Sequence, residues 1–356
     1  MLSRYHSEGA SGRVRFYQYI PYLREHGFDI KIAPLFYNGY VSSLFTKKRN
    51  PGRILCDYIK RVIEILRSRS FDFLWIQGEL LPKMPAILER TLNAAGINYI
   101  VDYDDAIFSY YEDSKNPVFS KLLRNKIDVV MKNAVLVIAG NDYLARRAID
   151  AGAKHVKILP SVIDLNNYPA PATQPQDKNT FTIGWTGTPI TAKFLHYLSP
   201  VFEEISKDKN IKIKLVGSGA ISLGKAIPEI AEWSLKTEVS EMQSFDVGIM
   251  PLDNHPFSLG KCGYKIIQYF ACGKPVVASP VGVNKKIVRN GENGFLASTP
   301  EEWSKAFSVM RDNHKMTLKM GIAGRKLVEK EYCLQVTAPK LLSFFNELKT
   351  AKYSAK

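Results

Sequence analysis

Short β-rich runs alternate with helical runs along most of this chain of 356 residues. Helical runs such as residues 53–69 carry apolar side chains at helical spacing. The strand-like runs are FDIKIAPLF (28–36), FDFLWIQG (71–78), FTIGWTG (181–187), IKIKLVGSG (211–219), FDVGIMPL (245–252) and KPVVASPVG (274–282). This alternation is typical of βαβ units, so the sequence predicts an α/β fold with parallel sheets covered by helices on both faces.

A change of character near the middle of the chain predicts two domains. Residues 166–180 contain three prolines and show no apolar periodicity, which is typical of a linker. A domain holds about 100–200 residues, so the length also fits two domains. We predict an N-terminal domain over 1–168, a C-terminal domain over 169–333 and a final segment over 334–356. The last part of the chain is predicted to be helical except near residues 331–336 and Pro339.

The charge balance points to an anionic partner. Lysine and arginine number 49 against 34 aspartates and glutamates, a net charge of +15. Such a balance suits phosphate-bearing ligands, a membrane surface or nucleic acid. The four cysteines match no zinc spacing and are expected to be reduced thiols. There is no apolar stretch of bilayer-spanning length and no signal peptide, so we expect a cytoplasmic protein, with attachment to a membrane face left open.

Two lysines precede an apolar strand in the stretch GKCGYKIIQYFACGKPVVASPVG (260–282). At positions i and i+4, Lys261 and Lys265 are predicted to share one helix face. Gly260 and Gly263 allow a ligand close to the backbone, and a helix N-terminus favours negative charge. The pair therefore indicates either a phosphate site or an exposed basic helix face.

A second candidate phosphate cradle comes after the strand at 181–187. Gly187 ends this strand and Lys193 stands shortly after it, in a helical stretch. A strand, a glycine turn and a helix N-terminus are a common phosphate-binding arrangement, although the Walker A spacing is absent. Gly217, after the next strand, indicates a tight turn or a further place of close approach.

Three aspartates cluster at the end of a strand-like run. Asp102, Asp104 and Asp105 stand in VDYDDAIF (101–108). Carboxylates at this spacing suit a hard metal cation. Capping of the next helix is the simpler alternative.

These motifs together resemble retaining glycosyltransferases of family 4, which have the GT-B fold. The similarity is strongest over 181–297, and it extends to SEGASGRVRFYQYIPYLREHGFDIKIAPL (7–35) in the N-terminal half. Lys193 takes the position of a lysine in the family, whereas Thr188 replaces its arginine. The family's paired glutamates fall on Gly260 and Gln268, and the Gln268 amide can still bond a ribose hydroxyl.

The resemblance implies two Rossmann-like parallel-sheet domains that face a central cleft, with the final helix returning to the N-terminal domain. It implies transfer of a glycosyl group from a nucleotide diphosphate sugar to a hydroxyl acceptor, with retention and without a metal or other cofactor. Lys193, Lys261 and Asp105 are the candidate catalytic residues, with Asp104 or Asp105 orienting the acceptor. The candidate donor-binding residues are Gly12, Arg13, Gly187, Thr188, Gly217, Lys265 and Gln268. Surface exposure is the alternative for Arg13 and Arg15.

A basic amphipathic segment lies at residues 47–69. It has eight basic residues against Asp57 and Glu64, and an apolar stripe at helical spacing. Such a helix packs on the sheet, attracts an anionic lipid surface with its cationic rim, or does both. The resemblance implies a glycan or lipid-linked acceptor. We therefore expect a role in surface polysaccharide or glycolipid synthesis near the inner membrane face.

Three other classes stay open. A GT-B nucleotide-sugar epimerase shares the cleft but needs no acceptor. A non-catalytic nucleotide-sugar-binding protein fits the changes at Thr188 and Gly260. Only the charge indicates a nucleic-acid binder, since interleaved aromatic and basic stacking residues are not evident, and no nucleic-acid partner is expected.

Overall fold

The computed structural model describes residues 1–41, 43, 50–170 and 180–354, and this part of the chain divides into two units. Unit 1 comprises Met1–Ser161, Gly260–Cys262 and Thr337–Lys356, and unit 2 comprises Val162–Leu259 and Gly263–Val336. Each unit contains one parallel sheet, which confirms the predicted α/β class with two parallel sheets. Residues 171–179 of the expected linker, and Lys47, Lys48 and Arg49 of the basic segment, lie outside the described residues.

Unit 1 is built on a sheet of four parallel strands in sequence order. The strands are β1 (Leu74–Gln77), β2 (Tyr99–Tyr103), β3 (Leu136–Ala139) and β4 (Val156–Ile158). Every residue of β2 and β3 is buried, because helices cover both faces of the sheet. This is why these strands appear in the sequence as continuous apolar runs.

Helices of unit 1 lie before and between its strands. They are α1 (Ala10–Arg15), α2 (Ile20–Glu25), α3 (Pro51–Leu66), α4 (Ile87–Ala94), α5 (Ser109–Glu112), α6 (Pro117–Leu123), α7 (Lys126–Asn133) and α8 (Asp142–Asp150), with 3-10 turns at Tyr17–Tyr19 and Ser68–Ser70. Asparagine side chains cap three of these helices: Asn50 for α3, Asn116 for α6 and Asn141 for α8. Each accepts a hydrogen bond from a main-chain N–H of the first turn that would otherwise lack a partner.

The predicted strand over 28–36 is not a regular strand in the structure. Leu2 forms a parallel bridge with Ile76 of β1. The N–H of Ala33 bonds to the carbonyl of Met1, and that of Leu35 to the carbonyl of Ser3, both at 2.9 Å. Residues 31–35 therefore lie alongside residues 1–3 without a continuous ladder. The order of strands reverses across the sheet between residues 1–4 and β1, and open parallel sheets bind ligands outside such switch points.

Unit 2 holds six parallel strands in the order β10-β9-β8-β5-β6-β7. They are β5 (Phe181–Thr186), β6 (Ile211–Val216), β7 (Glu229–Ala231), β8 (Val247–Met250), β9 (Val276–Ala278) and β10 (Gly294–Leu296). The strands proceed outward from β5 in one direction and from β8 in the other. The switch point of this sheet therefore lies where β5 and β8 end.

The helices of unit 2 are α9 (Pro189–Ala192), α10 (Ser199–Ile205), α11 (Glu238–Gln243), α12 (Pro256–Leu259), α13 (Tyr264–Ala271), α14 (Asn284–Ile287), α15 (Pro300–Asp312) and α16 (His314–Glu331), with 3-10 turns at Leu165–Asn167 and Lys193–Leu198. Large side chains fill the space between these helices and the sheet. Trp185, Phe202 and Trp303 are almost fully buried there.

The last helix, α17 (Leu334–Ser354), includes Pro339, so the predicted irregularity at this proline is wrong. Proline removes one main-chain hydrogen-bond donor, yet the helix continues through Pro339 and has 21 residues in all. Leu341 and Phe345 bury their side chains, and Phe345 packs edge-on against Trp75 of β1. This packing stabilises the helix past the proline. Of the helices described, none is both long enough and apolar enough to traverse a bilayer.

Candidate functional site

The carboxyl ends of β5 and β6 carry the glycine turns predicted from the sequence. The N–H of Gly187 bonds to the carbonyl of Val216 at 3.0 Å. Gly217 has φ +79°, and a Cβ on it would lie 2.4 Å from the Gly187 carbonyl oxygen. A Cβ on Gly187 would lie 2.5 Å from the Trp185 ring. Packing within unit 2 alone therefore requires glycine at both positions, and it brings the two turns together beside the switch point.

Thr188 and Thr191 form the corner after Gly187. The side chain of Thr191 accepts a hydrogen bond from the Thr188 N–H at 3.1 Å, as part of a capping box at the start of α9. Thr188 is exposed in the position where the resemblance expects an arginine. Its local role is to end the strand and start the short helix.

Lys265, on the first turn of α13, brings a positive charge to this corner of unit 2. Its ammonium lies 4.6 Å from the centroid of the Trp185 ring and 3.5 Å from the Thr191 hydroxyl. A cation over an indole face is worth about 0.5–1 kcal/mol at an exposed site. The stack therefore holds the ammonium beside the Gly187 turn, which suits an anion bound there.

Lys193 lies further along, at the start of the 3-10 turn Lys193–Leu198. Its side chain is exposed, and its ammonium lies 5.1 Å from the Phe194 ring centroid. It follows α9 (Pro189–Ala192) directly, on the segment that leaves the β5 corner.

Lys261 does not share a helix face with Lys265, so that prediction is wrong. The helix begins at Tyr264, after Gly263 with φ +67°, and Lys261 precedes it in irregular backbone. This left-handed residue interrupts the helical repeat that the spacing argument assumes. Lys261 belongs to unit 1, whereas Lys265 belongs to unit 2.

In unit 1, Lys261 pairs with a second candidate catalytic residue. Its ammonium donates to the carboxylate of Asp105 at 2.8 Å. Burial lowers the pKa of Lys261, but the Asp105 and Asp104 carboxylates raise it by more, so the pKa lies above its ordinary value. Lys261 is thus a cation at neutral pH, beside the carboxyl end of β2.

Asn141, at the end of β3, anchors the same segment, and the sequence analysis missed it. Its amide donates to the carbonyls of Gly260 at 2.9 Å and Lys261 at 3.1 Å, while its side-chain oxygen caps α8. A Cβ on Gly260 would lie 2.5 Å from the Cβ of Ala106, so only glycine fits where the resemblance expects a glutamate. The position of Asn141 directly after a buried strand is the signal that was available.

Gln268, the other position of the paired glutamates, is buried in α13. Its amide donates to the Tyr168 hydroxyl at 3.1 Å. The carbonyl of Tyr168 accepts in turn from the Arg325 guanidinium at 3.0 Å. Gln268 therefore has a partner inside unit 2, and its side-chain oxygen is the group suited to accept from a sugar hydroxyl.

The two candidate arginines of α1 differ in environment. Arg13 is half-buried, whereas Arg15 is almost fully buried. Arg15 donates to Asp102 at 2.8 Å and to the Leu159 carbonyl at 2.6 Å, so neither phosphate binding nor surface exposure describes it. Burial raises the pKa of Asp102 to about 6, since pairing with Arg15 offsets only part of the desolvation. Asp102 thus serves a structural ion pair.

Gly12 lies in the middle of α1, beside the switch point of unit 1. A Cβ on it would meet the Gln77 side chain, the Tyr17 ring and the Tyr5 carbonyl at 3.6–3.8 Å, which is ordinary contact. Its lack of a side chain is therefore not required by packing within unit 1.

No group of three or more histidine, cysteine, aspartate or glutamate side chains among the described residues is placed to hold a metal ion. In unit 1, Asp102 pairs with Arg15 and Asp105 pairs with Lys261. The Asp104 carbonyl accepts from the Cys262 thiol at 3.1 Å. The three aspartates of the strand end therefore have different partners.

Comparison with known proteins adds a family match for part of the chain. Residues 180–313 match the family model described as Glycosyl transferases group 1. No curated protein matches the chain in sequence. The matched segment contains both glycine turns, Lys193 and Lys265 of unit 2.

Solved structures of similar fold are numerous. HepE from Anabaena, in complex with UDP and glucose, has a TM-score of 0.70 and 16% identity, with 97% of this chain and 98% of that chain covered. A glycosyltransferase from Rickettsia africae has a TM-score of 0.65 and 14% identity, with 95% of each chain covered. Sucrose-phosphate synthase from Thermosynechococcus elongatus has a TM-score of 0.64 and 15% identity, with 84% of this chain and 79% of that chain covered. The chain thus has the two-sheet α/β fold of GT-B glycosyltransferases, and its residues 180–313 match the group 1 glycosyltransferase family model.

Proposed function

We propose that this protein is a retaining glycosyltransferase of family 4 that moves a hexosyl group from a nucleotide diphosphate sugar to a hydroxyl acceptor. The observation that carries the proposal is the corner after β5, where Lys265 stacks on Trp185 beside the Gly187 turn. This corner lies at the switch point of the unit 2 sheet, within the segment that matches the family model. A fixed cation there suits the charge that grows on a departing diphosphate.

Lys265 and Lys193 of unit 2 take the donor diphosphate in this proposal, with Gly187, Thr188 and Gly217 shaping its turn. Gln268 bonds a donor hydroxyl through its side-chain oxygen. Gly12 and Arg13 of unit 1 are the remaining candidate donor-binding residues. HepE was solved with UDP-glucose, so UDP-sugars are the first donors to test.

The acceptor belongs to unit 1. Asp105 orients the acceptor hydroxyl, and Lys261, held as a cation by Asp105, offsets negative charge near the reacting atoms. The cation and the donated hydrogen bonds replace a metal in this proposal, so neither a metal nor another cofactor is needed. The acceptor is a glycan or a lipid-linked glycan of surface polysaccharide or glycolipid synthesis, and the protein works peripherally at the cytoplasmic face of a membrane.

Donor binding is the first experiment. A thermal-shift panel of UDP, UDP-glucose, UDP-N-acetylglucosamine and GDP-mannose identifies a ligand that stabilises the folded protein. Isothermal titration of the best donor into the Lys265→Met variant is expected to show about 10-fold weaker binding. The exposed Lys315 of α16 gives the matched control, since Lys315→Met removes one surface charge of unit 2 on a helix that carries none of the candidate site residues. Unchanged donor affinity in Lys265→Met contradicts the proposed site.

Transfer is then followed with a 13C-labelled donor, with and without acceptors and with EDTA. If the product formed in the presence of EDTA keeps the anomeric configuration of the donor, the result supports transfer with retention and without a metal. Isomerised donor in the absence of acceptor indicates an epimerase. Donor binding without any product indicates a binding protein, which the changes at Thr188 and Gly260 make the principal rival.

A further inference from the structure

Helix α3 has two apolar sides, and only one of them packs on unit 1. Ile65 is buried in the core, and Ile54 and Tyr58 pack against the cluster formed by Leu35, Phe36 and Tyr40. Arg61 is also buried on this inner side and donates to the carbonyls of Ser3 and Ala33, both at 2.9 Å. These contacts determine the orientation of α3 about its own axis.

The other apolar side faces outward. Leu55, Ile59, Ile63 and Leu66 are 62%, 53%, 43% and 74% exposed. Their spacing of three or four residues puts them in one stripe along the helix. Single exposed aliphatic residues are ordinary on a soluble protein, but a contiguous stripe marks an interaction surface. We call these four residues the outer stripe.

A row of cations flanks the outer stripe. Arg53, Lys60 and Arg67 succeed one another at intervals of seven residues, which is close to two helical turns, and all three are exposed. Asp57 accepts from the Tyr37 N–H at 3.3 Å, and the Arg53 guanidinium stacks on the Tyr37 ring, 3.9 Å from its centroid. Glu64 lies 3.4 Å from the buried Arg61 guanidinium and 3.9 Å from the Lys60 ammonium, and its side chain is 20% exposed against 64% for Lys60. The exposed charge beside the outer stripe is therefore mainly positive.

We infer that the outer stripe and its cationic row dock this protein on an anionic lipid bilayer. A helix lying in the interface needs only one apolar face and a basic border, which is what α3 presents. A stable protein interface needs about 20–30 residues a side, many more than this stripe offers. Leu55, Ile59, Ile63 and Leu66 enter the acyl boundary, and Arg53, Lys60 and Arg67 contact lipid phosphates. This inference rests on the proposed function and gives a surface to its membrane attachment.

Cys56 provides a reporter in the wild-type protein. It is exposed on α3 next to Leu55, whereas Cys262, Cys272 and Cys333 are buried. An environment-sensitive fluorophore on Cys56 is expected to shift to the blue with vesicles of phosphatidylcholine and phosphatidylglycerol. Vesicles of pure phosphatidylcholine are expected to lower partitioning by about 100-fold at low salt, because each of the three cations of the row then loses its contribution of about 5-fold. Neither donor nor acceptor is present, so the result does not depend on glycosyl transfer.

Variants separate the two parts of the surface in a vesicle flotation assay. Leu55→Gln/Leu66→Gln is expected to lower partitioning by about 10-fold or more, since each leucine loses apolar burial. Lys60→Gln/Arg67→Gln is expected to lower it by about 30-fold at low salt, since each basic residue near an anionic surface contributes about 5-fold. The matched control is Ile149→Gln/Ile227→Gln, which changes two exposed aliphatic residues elsewhere. Circular dichroism melts check that each variant is folded.

Several outcomes overturn the inference. Equal partitioning of all variants, or no partitioning of the wild type, removes the bilayer as the occupant. A wild-type dimer in size-exclusion chromatography that Leu55→Gln/Leu66→Gln converts to a monomer assigns the stripe to a contact between copies instead. If the protein floats with the vesicles but binds no donor, the proposed reaction is excluded and the membrane-docking surface is retained.

Discussion

The ammonium of Lys261 lies 2.8 Å from the carboxylate of Asp105, at the end of β2 in unit 1. Asn141 holds the carbonyl of Lys261, so the main chain that presents this lysine is anchored from a second strand end. If the pair acts as one unit in transfer, removing either partner removes the contribution of both. We therefore expect Lys261→Met and Asp105→Asn each to lower kcat/KM by about 100-fold, a loss typical of one positioned acid or base group.

A double-mutant cycle measures the coupling. The double variant is expected to be no worse than the poorer single variant, whereas independent roles predict that the two losses multiply. Lys121→Met, at an exposed lysine of α6, is the control for loss of one surface charge in unit 1. Single variants with wild-type kcat/KM remove both residues from the mechanism.

Lys193 offers a clean test of a charge that is not needed for folding. It is exposed on the 3-10 turn after the β5 corner. We expect Lys193→Ala to lower turnover by about 100-fold, as for loss of a fixed charge beside the leaving diphosphate. The free energy of unfolding is expected to change by less than about 0.5 kcal/mol, as is usual for surface sites. Single-turnover kinetics and urea unfolding on the same sample make the comparison. Normal transfer rates in this variant exclude Lys193 from the reaction.

The central strands of both sheets were accessible from the sequence because buried parallel strands are continuous apolar runs, whereas the edge strands β7 and β10 lie in no predicted run. The strands over Leu74–Gln77, Phe181–Thr186 and Val247–Met250 lie inside the predicted runs 71–78, 181–187 and 245–252, and nearly all of their residues are buried. The glycine turn after β6 was likewise accessible, since a turn with positive φ favours glycine. A turn at the end of a strand is determined by residues that are adjacent in the sequence. A local sequence pattern can therefore predict it.

The relationships across distant parts of the chain were not accessible. Asn141 bonds to carbonyls that lie 119 and 120 positions away, and no spacing rule reports such a contact. The lysine pair failed for a different reason: the helical repeat assumes a continuous helix, and the positive φ of Gly263 ends that continuity between the two lysines. Charged side chains also gave no sign that Arg15 is buried, since its partner Asp102 is 87 positions away.

The buried pair of Arg15 and Asp102 gives a stability prediction. Removing one member of a buried ion pair leaves the other charge without compensation, at a cost of about 3–5 kcal/mol. We expect Arg15→Met to lower the free energy of unfolding by this amount in urea titrations. Arg13→Met, two positions earlier on the same helix and only half-buried, is the control and is expected to change little. Equal losses in the two variants contradict the structural role of the pair.

The same carboxyl group predicts a dependence of stability on pH. Burial raises the pKa of Asp102 from 3.8 to about 6, so between these values the folded protein binds this proton more tightly than the unfolded chain does. The contribution of Asp102 to the free energy of unfolding is therefore largest below about pH 4 and is lost as pH rises to about 6. Urea midpoints across this window are expected to show a slope that Asp102→Asn abolishes. An identical slope in the variant assigns the dependence to other groups.

Gly260 occupies a position where the resemblance expects a glutamate, and the surrounding atoms explain why a side chain is not tolerated. A Cβ on it would lie 2.5 Å from the Ala106 Cβ and 2.7 Å from the Ala106 nitrogen, and the latter is main chain that moves only at a cost. We expect Gly260→Ala to lower the free energy of unfolding by about 1–3 kcal/mol through overpacking. Gly52→Ala is the matched control, because its Cβ would meet only the Asn50 side chain at 3.5 Å in the first turn of α3. Alanine there favours the helix, so the control is expected to be neutral or more stable by up to about 1 kcal/mol. Equal unfolding midpoints for the two variants would mean that the close approach of Gly260 to Ala106 is not required for folding.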